Sequence, residues 1–508
     1  MGLGFLSLSL TLSLKGEGTV RSGGEVDIPP ATSEQQDDSE FKFAPNGSLS
    51  LQGEGWGEGA APQPTPNPPA NTPMPPILIL GAGPAGAATA IGLHRLGHPV
   101  TVISEWRRFA AVEGVSQRVL DGLRHAGLNH ALACTAPPSQ RRVNWNGSES
   151  AQNVEFILDR QLFDQGLRQD LHDAGIQVLE DRVLGVESDA TGHHVRLESG
   201  QHLHTPFLVE ARGRQAPLNQ KAGKARRGPE TLSLLSRWQG APGPVASAVQ
   251  SLADGWAWMA RLADGRCYWQ LTLDVASSAL PPKEQLLDYC RERRQRSALS
   301  QAFFGGHPEQ DLELHARSST PILCLEACGE NWIRVGDAAM AVDPLSGNGI
   351  FQSLSSALQA PAVINTLLRA PQRAELAKRF HQRRVEQLFL RFARVGRDFY
   401  AEERQWADQP FWQARRAWPD EVPSHASADF DALRIERAPV LRDGLVDEAE
   451  VVVSPDQPLG IWHLQGLELA PWLRRLRSEP QEQVLAALPE QQRRIFQGWL
   501  LSQGYRPR

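Results

Sequence analysis

The sequence predicts an α/β fold, on three observations. A strand, a glycine loop, a helix and a second strand follow one another between Pro75 and Glu105, within the roughly thirty residues of a dinucleotide-binding β-α-β unit. A second strand ends in a Gly-Asp pair at Gly336-Asp337, followed by a glycine-rich turn and a helix of small residues. Short alternating segments lie between these two ends, and beyond residue 371 the pattern turns helical with i, i+4 charge pairs.

The first unit opens with Pro75-Pro-Ile-Leu-Ile-Leu80, a short buried strand, and runs directly into Gly81-Ala-Gly83-Pro84-Ala85-Gly86. Gly81 permits the tight turn, and Gly83 lets the backbone approach a pyrophosphate. Gly86 lets helix and strand pack closely, and the helix N-terminus faces the anion. A helix over Ala85–Leu96 is stopped by Gly97, and the strand Pro99–Ile103 ends near Glu105, 19 residues past Gly86, where an acid would bind ribose hydroxyls.

The far motif makes the dinucleotide FAD. Asn331–Val335 reads as a strand, followed by Gly336 and Asp337. Then come Asp343-Pro344-Leu-Ser-Gly347-Asn348-Gly349 and a helix over Ile350–Leu368. An acid at a strand end can accept from a ribityl hydroxyl. A glycine-rich turn at a helix N-terminus offers backbone N–H groups to the electron-rich pyrimidine edge or to phosphate.

With motifs at both ends of residues 76–370, the chain resembles the flavoprotein monooxygenases of the para-hydroxybenzoate hydroxylase type and their flavin-dependent halogenase relatives. The resemblance implies a Rossmann-like FAD-binding domain interleaved with a mixed β-sheet substrate domain, the latter at about 175–320. It also implies that Gly336-Asp337 holds the ribityl and phosphate region, with the turn of Pro344, Gly347, Asn348 and Gly349 over the isoalloxazine ring. Arg160, in Leu158–Asp164, looks like the family's FAD-binding arginine at a helix start, and Arg118 like its arginine near the pyrophosphate. Leu208-Val-Glu210-Ala-Arg-Gly213-Arg214 aligns with an Asp-Gly element that contacts both FAD and NAD(P)H in hydroxylases. Here the acid is Glu and an Arg precedes the Gly, which argues against direct NAD(P)H docking there. The electron donor is therefore NAD(P)H itself or a separate flavin reductase.

Four functions compete on this frame: aromatic hydroxylase, halogenase, simple oxidoreductase, and a non-catalytic flavin-fold scaffold that binds a partner. Asp254-Gly-Trp256-Ala-Trp258-Met-Ala260 resembles the halogenase Gly-Trp-x-Trp-x-Ile-Pro element with Ile-Pro lost, and spacing of two also fits a core strand with both rings on one face. Halogenases need a lysine after the second strand, and Arg107–Val119 has none. That favours hydroxylation of an electron-rich aromatic ring by a flavin C4a-hydroperoxide. The Arg108–Leu120 segment, the altered Trp-x-Trp element and the helical C-terminal part look most like the flavoprotein monooxygenase subgroup that matures quinohemoprotein amine dehydrogenase. This resemblance implies hydroxylation of a tryptophan in a small partner polypeptide during tryptophylquinone biogenesis; a small-molecule aromatic substrate is the alternative. Glu113, by resemblance near the flavin pocket, is the candidate catalytic base. Trp406, Phe411, Trp412 and Trp418, with Arg415 and Arg416, are candidate docking residues for the polypeptide, against the alternative that these helices cover their own core.

The remaining organisation is a helical region at 371–424 and a small α+β domain at 425–508, with strands at Val451–Val453 and Ile461–Leu469 and helices at Pro471–Arg477 and Gln481–Ser502. Ala216–Gly228 reads as a basic solvated loop, and Asp254–Asp274 as a hairpin turning at Asp264-Gly265. A net charge of −6 over 508 residues gives no basic field for nucleic acid. No apolar run is long enough for a membrane span. Five cysteines form no disulfide framework and point to a reducing, cytoplasmic setting. Cys324-x3-Cys328 has neither a second pair nor a flanking His, so no metal is expected.

Residues 1–75 differ in kind. They are rich in Gly, Ser, Pro and Gln, carry an internal echo (Leu12–Gly18 and Leu49–Gly55) and show no apolar periodicity, so a disordered extension is expected. Met74 sits just before the first strand and is an alternative start. Intact-mass measurement of natively expressed protein should then fall well below 55.9 kDa; a mass near that value excludes the later start.

Overall fold

The structure is a computed structural model that describes residues 74–107, 109–216, 225–305 and 309–506. The expected disordered extension lies outside the described residues except at its last two positions, as does most of the expected loop Ala216–Gly228; Ala225–Arg227 form a strand paired with Ile322–Cys324.

Five parallel strands form the first sheet, in the order Trp332–Arg334, Phe207–Glu210, Ile77–Leu80, Val100–Ile103, Gln177–Leu179. Ile77–Leu80 is central and buried throughout, as a fully covered parallel strand requires. Because the strands are parallel, their C-terminal ends share one edge. That edge carries Gly81, Glu105, Glu210 and Gly336, each placed by the residues that close its strand. Ligands of open α/β sheets bind at this edge, where the strand order reverses.

Two helices cover the sheet beside that edge. Pro84–Arg95 starts with Pro in its first turn, and the chain leaves it through Gly97 at φ +83°. Gly349–Arg369 crosses it closely: a Cβ on Gly92 would stand 2.5 Å from Pro361 Cγ, so that glycine is where the two helices touch. Thr89 Oγ1 donates to Ala357 O (3.4 Å) at the same crossing.

The second sheet has eight strands, in the order Gln310–Ser318, Thr231–Gln239, Arg266–Asp274, Gly255–Arg261, Ala246–Leu252, Thr135–Trp145, Ser148–Asp159, Val112–Val115. Ala246–Leu252 pairs parallel with Thr135–Trp145, and the other pairs are antiparallel, so the sheet is mixed. It draws on strands upstream of residue 175 as well as on the 175–320 stretch. Gly265, at φ +90°, turns the expected hairpin.

Alternation along these strands makes two cores. Leu234, Trp238, Ala257, Met259, Trp269 and Leu271 face one way and pack with Cys290, Leu299 and Phe303 of two short helices. Leu235, Trp256, Trp258, Ala260 and Tyr268 face the other way and pack with Tyr400, Phe411 and Trp412. Trp256 and Trp258 thus do share one face, as their spacing requires.

The helices after residue 371 are Ala374–Glu402 and Pro410–Arg416. They correct the docking assignment. Phe411, Trp412 and Arg415 are buried in the second core, Arg415 pairs with Asp274 Oδ2 (3.0 Å), and Trp412 Nε1 donates to Leu252 O (3.0 Å). Arg416 bonds the carbonyl of Tyr400, and Trp406 and Trp418 are half-buried, Trp406 against that same core. The physical reason is that Leu235, Trp256, Trp258, Ala260 and Tyr268 make a large apolar area on this face of the sheet that must be covered, which takes Phe411 and Trp412 out of reach of a partner.

Residues 427–438 and 450–508 form a separate compact unit with its own core of Leu433, Val452, Leu464, Leu473, Val484, Phe496 and Trp499. Residues 439–449, the tip of the hairpin Arg434–Arg442 and Leu445–Val453, count with the first unit, where Asn365 Nδ2 donates to Gly444 O (2.8 Å). Two expected elements change here. Ile461–Leu469 is two two-residue strands, because Gln465 and Gly466 turn the chain at positive φ. Gln481–Ser502 is two helices, Gln481–Ala486 and Glu490–Ser502, because Pro489 cannot continue the first. Among the described residues no helix is long and apolar enough to cross a membrane.

Trp412→Ala should destabilise the protein by about 3–5 kcal/mol, as removal of a fully buried large aromatic does. Denaturant unfolding measures it; a loss under about 0.5 kcal/mol would fit a surface residue instead.

Candidate active site

The two glycine motifs, some 250 residues apart in the sequence, meet. A Cβ on Gly336 (φ +60°) would stand 2.6 Å from Ala85 Cβ, so the Gly-Asp turn rests directly on the first helix's opening turn. Within the loop, a Cβ on Gly81 (φ +105°) would stand 2.6 Å from Ala211 O, and one on Gly86 only 1.9 Å from Gly81 O. These two glycines are required by the protein's own packing.

Gly83 is different. Its backbone is ordinary extended chain (φ −67°, ψ −178°), and a Cβ there would meet no atom within 4 Å. Neither strain nor packing asks for glycine at this position. The helix it opens has no side chain capping its free N–H groups. Open space beside uncapped donors fits a phosphate-bearing group. Gly349 repeats the pattern: a Cβ there also meets nothing, and the helix it begins has no side-chain cap. Gln352, one turn on, is fully buried with neither amide atom partnered, a polar group of the kind a bound ligand completes. The residues present therefore fit an extended dinucleotide.

Asp337 is held from two sides. Its Oδ1 accepts from Ser353 Oγ (3.2 Å) and its Oδ2 from Arg214 Nε (3.2 Å). Burial pushes its carboxyl up, and the Arg214 guanidinium opposes this. Arg214 also donates to the carbonyls of Thr320 and Val342 (3.0 and 2.6 Å), tying the turn after Phe207–Glu210 to the Gly-Asp motif. The substituted acid Glu210 is buried and forked by Arg212 (Nε to Oε1 2.9 Å, Nε to Oε2 3.2 Å), so this pair is used internally.

The turn Asp343–Gly349 is built by Asp343, whose Oδ1 accepts from Leu345 N (2.9 Å), and by Ser346, whose Oγ donates to Asp343 O (2.7 Å). Pro344 begins the short 3-10 turn, Gly347 closes it at φ +61°, and Asn348 caps it by donating its amide to Ser346 O.

Beside these motifs lies a nest of charge. Glu113 is on the edge strand Val112–Val115, and its Oε1 accepts from Arg160 Nη1 (2.6 Å). Arg160 also reaches Asp164 (Nη2 to Oδ1, 2.9 Å), which pairs with Arg107 (3.3 Å). Burial pushes the Glu113 carboxyl up, but Arg160, Arg317 and Arg107 together outweigh it and hold it below the usual glutamate range. Burial opposes the Arg160 charge, but Glu113 and Asp164 outweigh it and raise the guanidinium above its ordinary range. Its donors go to carboxylates. Arg118 lies over the Phe351 ring (6.0 Å), at the start of the helix Gly349–Arg369. Glu105 is half-exposed, with Arg182 at 3.9 Å. Arg214, Ser353, Asp343 and Tyr400 complete the site and were not among the residues expected. Arg214 carried a signal in its place after Gly213; Tyr400, 57 residues beyond Asp343, carried none. No group of three or more His, Cys, Asp or Glu among the described residues is arranged to hold a metal ion.

This geometry defines a flavoprotein fold, and comparison with known proteins agrees. Residues 112–436, well over half the chain, match the tryptophan halogenase family, and the chain belongs to it. The tryptophan 2-halogenase of Chondromyces crocatus is 24% identical over 393 residues, covering 68% of this chain and 71% of that protein. The putative FAD-dependent oxidoreductase LodB of Marinomonas mediterranea is 24% identical over 370 residues, covering 67% of this chain and 96% of that protein. Much closer is the solved structure of QhpG, a peptidyl tryptophan dihydroxylase essential for tryptophylquinone cofactor biogenesis. It is 64% identical with a TM-score of 0.77, covering 85% of this chain and 100% of that one. The halogenase CmlS, at 16% identity, TM-score 0.65 and 85% and 96% coverage, shares the fold. The chain is an FAD-dependent enzyme of the flavoprotein monooxygenase class.

Gly83→Ala and Gly86→Ala should part company. Gly83→Ala should leave the melting temperature within about 2 °C but weaken FAD binding about tenfold or more. Gly86→Ala should destabilise the protein itself by about 1–3 kcal/mol, whatever the cofactor content. Thermal melts with and without FAD separate them; equal loss of stability in both would contradict the assignment of Gly83 to ligand.

Proposed function

We propose that this chain hydroxylates the indole of a tryptophan carried in a small partner polypeptide, as a step in making a tryptophylquinone cofactor. The observation that carries this reading is the 64% identity to QhpG over the whole of that chain. The site suits it. Bound, reduced FAD supplies the oxygen-activating chemistry. The chain's own residues bind and shield it. Gly83, Ala85 and Gly86 offer backbone N–H groups to the pyrophosphate, while Gly81 makes the turn and Pro84, which has no N–H, opens the helix; Arg118 is close to that region and Glu105 lies toward the adenosine ribose. Gly336 and Asp337 hold the ribityl chain, and Pro344, Gly347, Asn348 and Gly349 face the ring. Arg160 orients Glu113.

Glu113 is a carboxylate held ionised by three arginines, so it acts by accepting a hydrogen bond or proton from the indole once its ring begins to carry positive charge. Electrons come from NAD(P)H, directly or through a separate flavin reductase; the internal Glu210–Arg212 fork favours the separate reductase. A cytoplasmic setting accords with five cysteines that form no disulfide among the described residues.

One observation bears on halogenation. Of the lysines in the described residues, Lys283 opens a short turn before Leu286–Arg296 and Lys378 pairs with Glu375; the nest around Glu113 is built on arginine. Arginine is too weak an acid to form the lysine-type adduct a halogenase uses, so hydroxylation is the better reading.

The test is mass analysis of a tryptophan-containing partner polypeptide after incubation with FAD-loaded enzyme, reductant and air. A gain of +16 or +32 is expected. Hydroxylation of free aromatics alone would select a small-molecule hydroxylase, and a chloride- or bromide-dependent gain would overturn the assignment in favour of a halogenase. Glu113→Gln should retain FAD and lower turnover about 10²-fold. Because Glu113 is depressed, its charge and its ion-pair stabilisation are present above the unfolded pKa, about 4.3, and are lost only as pH falls through the lower folded value. The acid limb of turnover due to this group should therefore lie below the ordinary glutamate range in a pH profile.

A further inference from the structure

We propose that Tyr400 is a positioning residue for the flavin turn, fixing Asp343–Gly349 from the helix behind it. This rests on the flavin reading above. Tyr400 lies near the end of the long helix Ala374–Glu402 and is 2% exposed. Its hydroxyl donates to Asp343 Oδ1 (2.9 Å), the same oxygen that accepts from Leu345 N and so shapes the turn. Its oxygen also accepts from Trp256 Nε1 (3.2 Å) on the strand Gly255–Arg261. Three separate parts of the chain therefore converge on one phenol: the substrate sheet through Trp256, the C-terminal helix through Tyr400 itself, and the flavin turn through Asp343.

The arrangement has a direction. An indole N–H is only a donor, and Asp343, when ionised, is only an acceptor. The two could bond directly, but here they are linked by a hydroxyl that takes one bond and gives one. Tyr400 fills that role, and its orientation is fixed from outside. Its ring is packed edge-on by Phe411 and Trp412 (centroids 5.7 and 5.8 Å), with the Arg415 guanidinium 6.0 Å away over the ring. Leu345, the residue whose N–H Asp343 holds, is packed in the same aromatic core. The turn is thus clamped at backbone and side chain. A purely structural tyrosine would need only the ring, whereas the hydrogen-bond chain makes the hydroxyl specific to the turn's conformation. The turn's own N–H groups are spent inside it, and it sets the uncapped start of the helix Gly349–Arg369, which the flavin reading places at the pyrimidine edge; fixing the turn therefore fixes what the ring meets there.

Tyr400→Phe tests this with the FAD-loaded full chain, reduced by dithionite and reoxidised by air, which needs neither a known substrate nor a known donor. FAD should still bind, within about threefold of wild type. The visible flavin bands should shift, and hydrogen peroxide release after reoxidation should quicken about fivefold to tenfold, the effect of losing one buried hydrogen bond. Trp256→Phe removes the donor to Tyr400, together with part of a buried ring, while leaving the Tyr400–Asp343 bond, and should move both readouts the same way by less; it decides the matter if Tyr400→Phe does not fold. Wild-type bands and wild-type peroxide release in both variants would overturn the proposal. A wild-type protein that binds no FAD would instead overturn the flavin reading beneath it.

Discussion

The seating of Gly336 on Ala85 is the contact on which the rest of the site depends. Two segments some 250 residues apart in the sequence must face one extended ligand, and a parallel sheet achieves this by bringing strand ends to a common edge. In the sheet the two strand ends are separated by Phe207–Glu210. The missing Cβ at Gly336 lets the turn beyond its strand seat against Ala85, and the two covering helices cross closely at Gly92 and Pro361. Arg214 then ties the third strand end to the same point through Asp337, Thr320 and Val342. Everything offered to a dinucleotide follows from this junction.

The electrostatics are arranged around it. Carboxylates and guanidiniums alternate from Arg107 through Asp164, Arg160 and Glu113 toward Arg317, with Asp337 and Arg214 beside them. Partly buried charges of this kind are tolerable only when paired. The pairing has chemical consequences of opposite sign: three arginines keep Glu113 ionised, whereas burial raises Asp337 against a single arginine. One acid is held below its ordinary range and the other above it. That difference is what a site needs if one carboxylate is to attend the substrate and the other a ribityl chain.

Much of this was legible in the sequence because it is local. Gly81, Gly86 and Gly336 are demanded by turns and close approaches that a few residues encode, and the strand–turn–helix patterns around them are short-range. The Trp256 and Trp258 pair was readable to the level of a shared face, since strand periodicity fixes it, and the aromatic core they enter is what that face requires. What escaped was set by distance. Nothing near residue 400 announces that its hydroxyl reaches Asp343, and nothing near residue 411 tells a buried tryptophan from a docking one; only the sheet's uncovered apolar face decides that. The helix break at Pro489 was encoded locally and is a case where the proline should have outweighed the helical pattern on either side.

The second core links the two levels. Leu345 of the turn Asp343–Gly349 packs among the same side chains that hold the helices Ala374–Glu402 and Pro410–Arg416 on the eight-stranded sheet, so turn, sheet and helical cover share one hydrophobic unit. The central claim beneath all of this is that both glycine motifs grip a single FAD. The most direct measurement is the absorption spectrum of the purified protein together with the FAD released on denaturation. Visible flavin bands and one FAD per chain are expected; a colourless protein that releases none, and takes none up from solution, would contradict the account.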